Sequence, residues 1–286
     1  MKKGQKNKGI EKQNQEEEFQ YLKKLIDYNK KYATRLQDDS DLCRYGNIRC
    51  YKDNFVEVST PHESINASWI HLPKKNSFIS AQAPLINTID DFWEMCFDHN
   101  INLIIMLCNL EENGKEKCTE YWNVDKFSNL KESIAIRSNF SIKFTTDKIN
   151  DDITIRICTV RNKVTDAQKI IKQVQYGGWP DHEIPDMKDV YGNILFMFQL
   201  VDNYNFQGPV CVHCSAGVGR TGTFIALYNI YRDIIYQIRN EKRNVISFSL
   251  LNIVRKLKEM RLYLVENVKQ YKMIYQFISK FLLDRN

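Results

Sequence analysis

The residues with the most chemistry in this sequence are consecutive: Val212-His213-Cys214-Ser215-Ala216-Gly217-Val218-Gly219-Arg220-Thr221-Gly222. The apolar run Gly208–His213 predicts a buried strand. Apolar spacing from Thr221 to Ile238 predicts a helix, with Phe224, Tyr228, Tyr231, Ile235 and Ile238 on one face. A small-residue loop between strand and helix aims backbone N–H groups at one point beside a helix N-terminus, and such a point binds phosphate. Glycines at 217 and 219 permit the dihedrals of a tight cradle. The amides of Ser215, Ala216, Gly217, Val218, Gly219 and Arg220 are therefore candidate phosphate ligands.

Cys214 opens the cradle and Arg220 closes it. The thiolate is the nucleophilic form of cysteine, and a free thiol is mostly protonated at neutral pH. Lowering a thiol pKa by about three units takes roughly 4 kcal/mol of anion stabilisation. A helix N-terminus supplies at most about 2 kcal/mol, so the loop amides, Arg220 and the Thr221 hydroxyl have to supply the rest. The Arg220 guanidinium presents a planar fork that matches two phosphate oxygens. A thiolate facing a bound phosphate is a nucleophile aimed at phosphorus.

Two other motifs overlap this segment. Cys211 and Cys214 form a C-x-x-C, which suits redox exchange or zinc, but no second pair stands at zinc-ligand spacing. A disulfide between the two under oxidation stays open. Residues 217–222 fit the dinucleotide fingerprint G-x-G-x-x-G. That fold needs an acidic residue after the next strand, and the run Asn244–Phe248, taken as that strand, is followed by Ser249.

Elements able to position the loop are spread along the chain. Helical spacing begins near Phe19, Leu22 and Ile26 and runs to about Leu36. Strands are predicted at Ser68–Leu72, Phe78–Ala81, Leu103–Leu107, Ser141–Thr146, Thr154–Val160 and Ile170–Val174. Further helices are predicted at Ile89–Asn100, after Pro185 through Val190, Ile194, Phe198 and Val201, and from Gln270 to Leu283. Intermixed strands and helices without internal repeats imply one α/β domain built on a mixed sheet.

Bulk composition agrees with one folded domain, 16–286, behind a disordered basic tail, 1–15. Hydrophobic residues make up 43% of the chain, enough for a sizeable core. Of the net charge of +6, four units come from residues 1–12, where five lysines face one glutamate. The balanced remainder argues against a nucleic-acid surface. The start is polar rather than apolar, and the strongly apolar stretch near Ile101–Leu110 is too short to span a bilayer. The expectation is a reducing compartment, cytoplasm or nucleus, with eight unpaired cysteines. A monomer is expected.

Beyond these readings, HCSAGVGRTG resembles the signature of the cysteine-dependent protein tyrosine phosphatases. Other stretches resemble further landmarks of that family, in family order, over about residues 40–275: CRYGNI at Cys43–Ile48, Ile65-Asn66-Ala67, FISAQAPL at Phe78–Leu85, Asp91-Phe92-Trp93, Lys117-Cys118 with Tyr121-Trp122, and QYGGWPDHEIP from Gln175. The resemblance implies that family's fold, a highly twisted, mixed, largely parallel sheet with helices on both faces. It implies phosphotyrosine on proteins as substrate, and neither metal nor other cofactor. Cys214 would be the nucleophile and Asp181 the general acid, then base. Tyr45 would stack on the substrate ring and Asn47 hold its backbone. Trp179 would anchor the acid loop, Glu112 orient Arg220, and His213 support the cysteine loop. Gln270 keeps the family's second glutamine position, and the Thr221 hydroxyl would support the phosphate loop.

The chain departs from the family pattern at several positions. Glu183 stands where glycine is usual after WPDH, Cys43 where asparagine is common, Ser64 where tyrosine is common, and Asn123 where proline is usual. Glu266 aligns with a water-positioning glutamine. A carboxylate there repels a thiophosphate yet can accept a proton from water, and a slower second step is expected. The Glu183 and Glu266 changes keep one alternative open, a catalytically weak domain that binds phosphotyrosine without turning it over.

Overall fold

The computed structural model describes residues 14–25, 27, 40–72, 77–127, 138–180, 183–204, 208–240 and 246–285. The expected basic tail thus lies outside the described residues up to 13, as does the predicted helix beyond 27. Helix α1 (residues 14–25) begins five residues before Phe19. Its first turn carries Glu16 and Glu17, whose charge suits a helix N-terminus.

Eight strands form one mixed sheet in the order β1 (Phe55–Glu57), β2 (Ser64–His71), β3 (Ser77–Ala81), β10 (Val210–His213), β4 (Leu103–Met106), β9 (Gln168–Tyr176), β8 (Ile153–Asn162), β7 (Phe140–Lys148). The central strands β3, β10, β4 and β9 run parallel, and antiparallel pairs extend the sheet on both sides. All four residues of β10 are buried, as a parallel strand covered on both faces requires. The remaining strands, β5 (Glu111–Glu112) and β6 (Lys115–Glu116), make a separate hairpin.

Ring contacts show that helices cover both faces. Phe78 is paired with Val210, and its ring meets Tyr228 of α4 (Gly219–Arg239) at 5.4 Å. His213, three residues on, points to the other face, where Phe92 of α2 (Ile89–Asp98) lies 5.8 Å away. Helices α3 (Met187–Tyr204), α5 (Leu250–Met260) and α6 (Val268–Leu283) complete the set. Helix α4 is buried almost all round its first three turns, which makes it the central helix.

The six strands predicted between Ser68 and Val174 and the strand predicted at Gly208–His213 are present, with ends moved by at most four residues. The predicted strand Asn244–Phe248 is corrected. Its last three residues are irregular and lead to Ser249, whose hydroxyl accepts from the Asn252 amide and starts α5.

Helix α1 is fastened to α6. Glu18 accepts from the hydroxyls of Tyr271 (2.6 Å) and Tyr275 (3.0 Å), and Glu16 pairs with Lys272. The Phe19 ring lies against Tyr271 and, 5.6 Å from its ammonium, over Lys258. Lys258 is fully buried. Burial pulls its pKa from 10.5 to about 7, against the opposing pull of Glu266. Between those values the unfolded chain holds a proton that the folded chain has lost, so this group makes stability rise with pH above 7. The slope is about 1.4 kcal/mol per pH unit. Denaturant unfolding at pH 7 and pH 10 is expected to show that gain in wild type and its loss in Lys258→Met. An equal gain in both proteins contradicts it.

Candidate active site

Strand β10 delivers Cys214 to the C-terminal edge of the sheet, where ligands bind in open α/β folds. The loop from Cys214 runs directly into α4, which begins at Gly219. Its carbonyls are tied outwards. Ser215 O accepts from Ala83 N (2.9 Å), and Ala216 O from Arg261 Nη2 (3.2 Å). Gly217 O accepts from Ser80 Oγ (2.9 Å) and Arg261 Nε (3.0 Å), and Val218 O from Val265 N (3.2 Å). Peptide planes whose carbonyls face out present their N–H groups inwards, which makes the loop an anion cradle. Gly217 sits at φ 69°, and a Cβ there would lie 2.1 Å from Ala81 O. Only glycine fits that turn.

The cavity over the cradle has a volume of about 570 Å³. Cys214 lines it with 4% of its surface exposed, beside Ser215, Ala216, Gly219 and Arg220. Arg220 reaches Glu112 through both nitrogens, Nη1 to Oε1 at 2.7 Å and Nη2 to Oε2 at 2.9 Å. Its Nη1 also donates to Trp179 O at 3.0 Å. Burial alone would depress the guanidinium pKa, but the bonds to Glu112 more than offset this, and it lies above the ordinary value. The Thr221 hydroxyl is fully buried with no hydrogen-bond partner among the described residues. A buried donor at the helix start, beside the cradle, suits an incoming anion.

His213 supports the loop from the opposite face. Gln173 Nε2 donates to the Tyr121 hydroxyl (2.8 Å), which donates to His213 Nε2 (2.9 Å). That leaves the His213 proton on Nδ1, which donates to Cys214 O at 3.1 Å. Arg156 Nη1 holds Gln173 Oε1 at 2.8 Å and stacks on Trp122.

The cavity wall comes from distant segments. Ser215 Oγ donates to Lys117 O and accepts from the Tyr45 hydroxyl, both at 2.9 Å. Tyr45, Asn47 and Ile48 line the cavity. Arg44 pins their loop by donating to Ala83 O, Pro84 O and Glu116, and Asn66 Nδ2 donates to Ile48 O and Cys43 Sγ. Gln270 and Glu266 form the far wall. A Cβ on Gly219 would lie 2.8 Å from both Gln270 Nε2 and Glu266 Oε2, so the bare glycine gives both side chains access to the cradle. Trp179 is buried and its indole donates to Glu183 O at 3.4 Å. The Glu183 carboxylate pairs with Lys269, the neighbour of Gln270. Asp181 lies outside the described residues.

The structure thus brings together Tyr45, Asn47, Glu112, Trp179, His213, residues 214–221, Glu266 and Gln270. Sequence reasoning missed Arg261, fully buried and bonded to two cradle carbonyls and to Asn66. It also missed the β5–β6 hairpin that carries Glu112, although Asn113-Gly114, at φ 53° and 69°, is the strongest short hairpin signal. Cys211 is buried and its thiol pKa is pushed up by that burial, unlike a reactive cysteine. All eight cysteines are unpaired thiols. Among the described residues no cluster of His, Cys, Asp or Glu has metal-holding geometry, and no helix is long and apolar enough to cross a membrane.

The family model of protein-tyrosine phosphatases matches residues 39–280. Human receptor-type tyrosine-protein phosphatase eta is 34% identical over 92% of this chain, which spans 19% of that protein. Tyrosine-protein phosphatase 2 of Dictyostelium discoideum is 36% identical over 78% of this chain, and mouse non-receptor type 20 is 31% identical over 85%; the matches span 56% and 54% of those proteins. The crystal structure of the catalytic domain of human non-receptor type 18 superposes with a TM-score of 0.78 at 24% identity, covering 93% of this chain and 95% of that one. The chain belongs to the protein-tyrosine phosphatase family. It spans less than two thirds of the curated relatives' length.

Proposed function

We propose that this chain hydrolyses phosphotyrosine on proteins in two steps through a cysteinyl-phosphate. The observation that carries the reading is the inward-facing cradle, with Cys214 at its start and the Arg220 fork held by Glu112 at its end. In the first step the Cys214 thiolate attacks phosphorus, the bond to the tyrosine oxygen breaks, and Asp181 protonates the leaving phenolate. In the second, water attacks phosphorus, its proton goes to Asp181, and the S–P electron pair returns to Cys214. Arg220 and the amides of residues 215–220 stabilise charge on the equatorial oxygens in both steps. The Thr221 hydroxyl donates to the thiolate, and His213 holds the cysteine carbonyl. Gln270 positions the water, with Glu266 beside it. Tyr45 stacks on the substrate ring, Asn47 holds its backbone, and Trp179 anchors the acid loop.

Tyr45 and the buried thiol line one cavity, which supports a slot that a long phosphotyrosine spans and a short phosphoserine does not. Non-receptor type 18 is described in complex with HER2 phosphopeptides, which supports tyrosine-phosphorylated proteins as partners here. A phosphotyrosine peptide and its phosphoserine counterpart, assayed with chelator present, test the reading. Release of phosphate from the first alone is expected. Tight binding of the phosphotyrosine peptide without release shows instead a binding domain.

A further inference from the structure

Lys258 is a buried cation that the chemistry above does not use. Its side chain is fully buried, its ammonium donates to Val265 O at 2.9 Å, and the Phe19 ring of α1 covers it. The carbonyl that it holds belongs to a strained turn. Tyr263 and Val265 stand at φ 69° and 58°, a region that a β-branched residue rarely occupies. The same turn feeds the site. Val265 N donates to Val218 O, next to α4, and Glu266 N donates to Gln270 Oε1 at 2.9 Å. The Glu266 carboxylate then enters the cavity. One turn of chain joins a buried ammonium to the cradle and to the carboxylate beside it.

The charged and titratable groups around Lys258 come from four segments. Glu266 belongs to the turn before α6 and is the anion that favours the Lys258 proton; burial opposes it and leaves the pKa near 7. Glu18 of α1 is occupied by Tyr271 and Tyr275 of α6. Arg261 is engaged with Asn66 and the cradle carbonyls, and the Tyr51 hydroxyl donates to the Lys258 carbonyl.

We propose that Lys258 is a positioning residue for hydrolysis of the cysteinyl-phosphate: its ammonium holds the Val265–Glu266 turn against the cradle and offsets the Glu266 carboxylate that the phosphate meets. The proposal rests on the two-step reading above. In the second step a phosphate dianion and a thiolate form together, and a carboxylate beside them whose charge Lys258 no longer offsets raises the barrier. Loss of the Lys258 proton therefore slows this step as pH rises through about 7, while the first step is affected less.

Rapid-mixing kinetics with p-nitrophenyl phosphate separates the two steps. The burst of nitrophenolate reads formation of the cysteinyl-phosphate, and the steady rate after it reads hydrolysis. From pH 6 to pH 8, the steady-to-burst ratio is expected to fall by about three- to tenfold in wild type, the size of one partly screened charge. It stays high in Lys258→Arg, whose charge does not titrate, and is low throughout in Lys258→Met. Glu266→Gln removes the fall. A wild-type fall retained in Lys258→Arg, or one that persists in Glu266→Gln, overturns the proposal. If Lys258→Met does not fold, the arginine variant decides alone. A wild type that forms no cysteinyl-phosphate overturns the phosphatase reading and this proposal with it. A burst with no pH-dependent fall overturns this proposal only.

Discussion

Cys214→Ser is expected to lower phosphotyrosine hydrolysis by more than about 10⁴-fold, the range for removal of a covalent nucleophile, with binding of the peptide retained. Serine keeps the loop's shape, because Cys214 is held by its backbone: its carbonyl accepts from His213 Nδ1, and the neighbouring carbonyls accept from Ala83 N and Arg261. What is lost is the sulfur nucleophile of the proposed first step, since a serine hydroxyl is a far weaker one near neutral pH. In the proposed mechanism phosphate affinity resides in the amides and Arg220, which the change leaves in place. Phosphate release and peptide binding measured on the same preparation check this. Residual hydrolysis within tenfold of wild type removes Cys214 from the nucleophile's place.

Arg220→Lys is expected to cost roughly 10²–10³-fold in kcat/KM, the usual effect of losing a donor aimed at transition-state charge. The charge survives, but the planar fork does not. In this site the fork has two tasks. It takes both Glu112 oxygens, at 2.7 and 2.9 Å, and that grip sets the plane presented to phosphate. A lysine satisfies one oxygen only, and Oε1 keeps the Asn109 amide at 2.9 Å, so the buried pair is weakened and the cost stays below that of breaking one, about 3–5 kcal/mol. A lowered melting temperature should therefore accompany the kinetic loss. Glu112→Gln separates the two effects: it keeps the shape, weakens the pair, and is expected to lose less activity than Arg220→Lys. An unchanged kcat/KM in Arg220→Lys contradicts the fork's role.

What is legible in the sequence here is what is local. The strand, cradle and helix are contiguous, so loop chemistry and apolar periodicity suffice to read them from Val212 to Ile238. The parallel centre of the sheet is read from short apolar runs such as Leu103–Met106, buried at every residue. The supports of the cradle are another matter. Arg261 bonds to Asn66, 195 residues away, and only the fold brings them together. Nothing in the local sequence marks Lys258, whose burial depends on the Phe19 ring that α1 lays over it. The run Asn244–Phe248 has the β-branched and aromatic content of a strand, but in its described part no neighbouring strand pairs with it. The Ser249 cap was the stronger local signal there.

The place of β10 has a consequence for biosynthesis. This strand lies between β3 and β4, pairing with both, yet leaves the ribosome roughly 130 residues after β3 and roughly 105 after β4. Until it arrives, the nascent sheet has a gap at its centre and two unsatisfied apolar edges, Ser77–Ala81 and Leu103–Met106. Exposed edges of this kind invite pairing with other chains. The segment that carries the proposed nucleophile is thus also the one that closes the sheet, and a chain halted before residue 210 lacks Cys214 and leaves a sticky seam open at once.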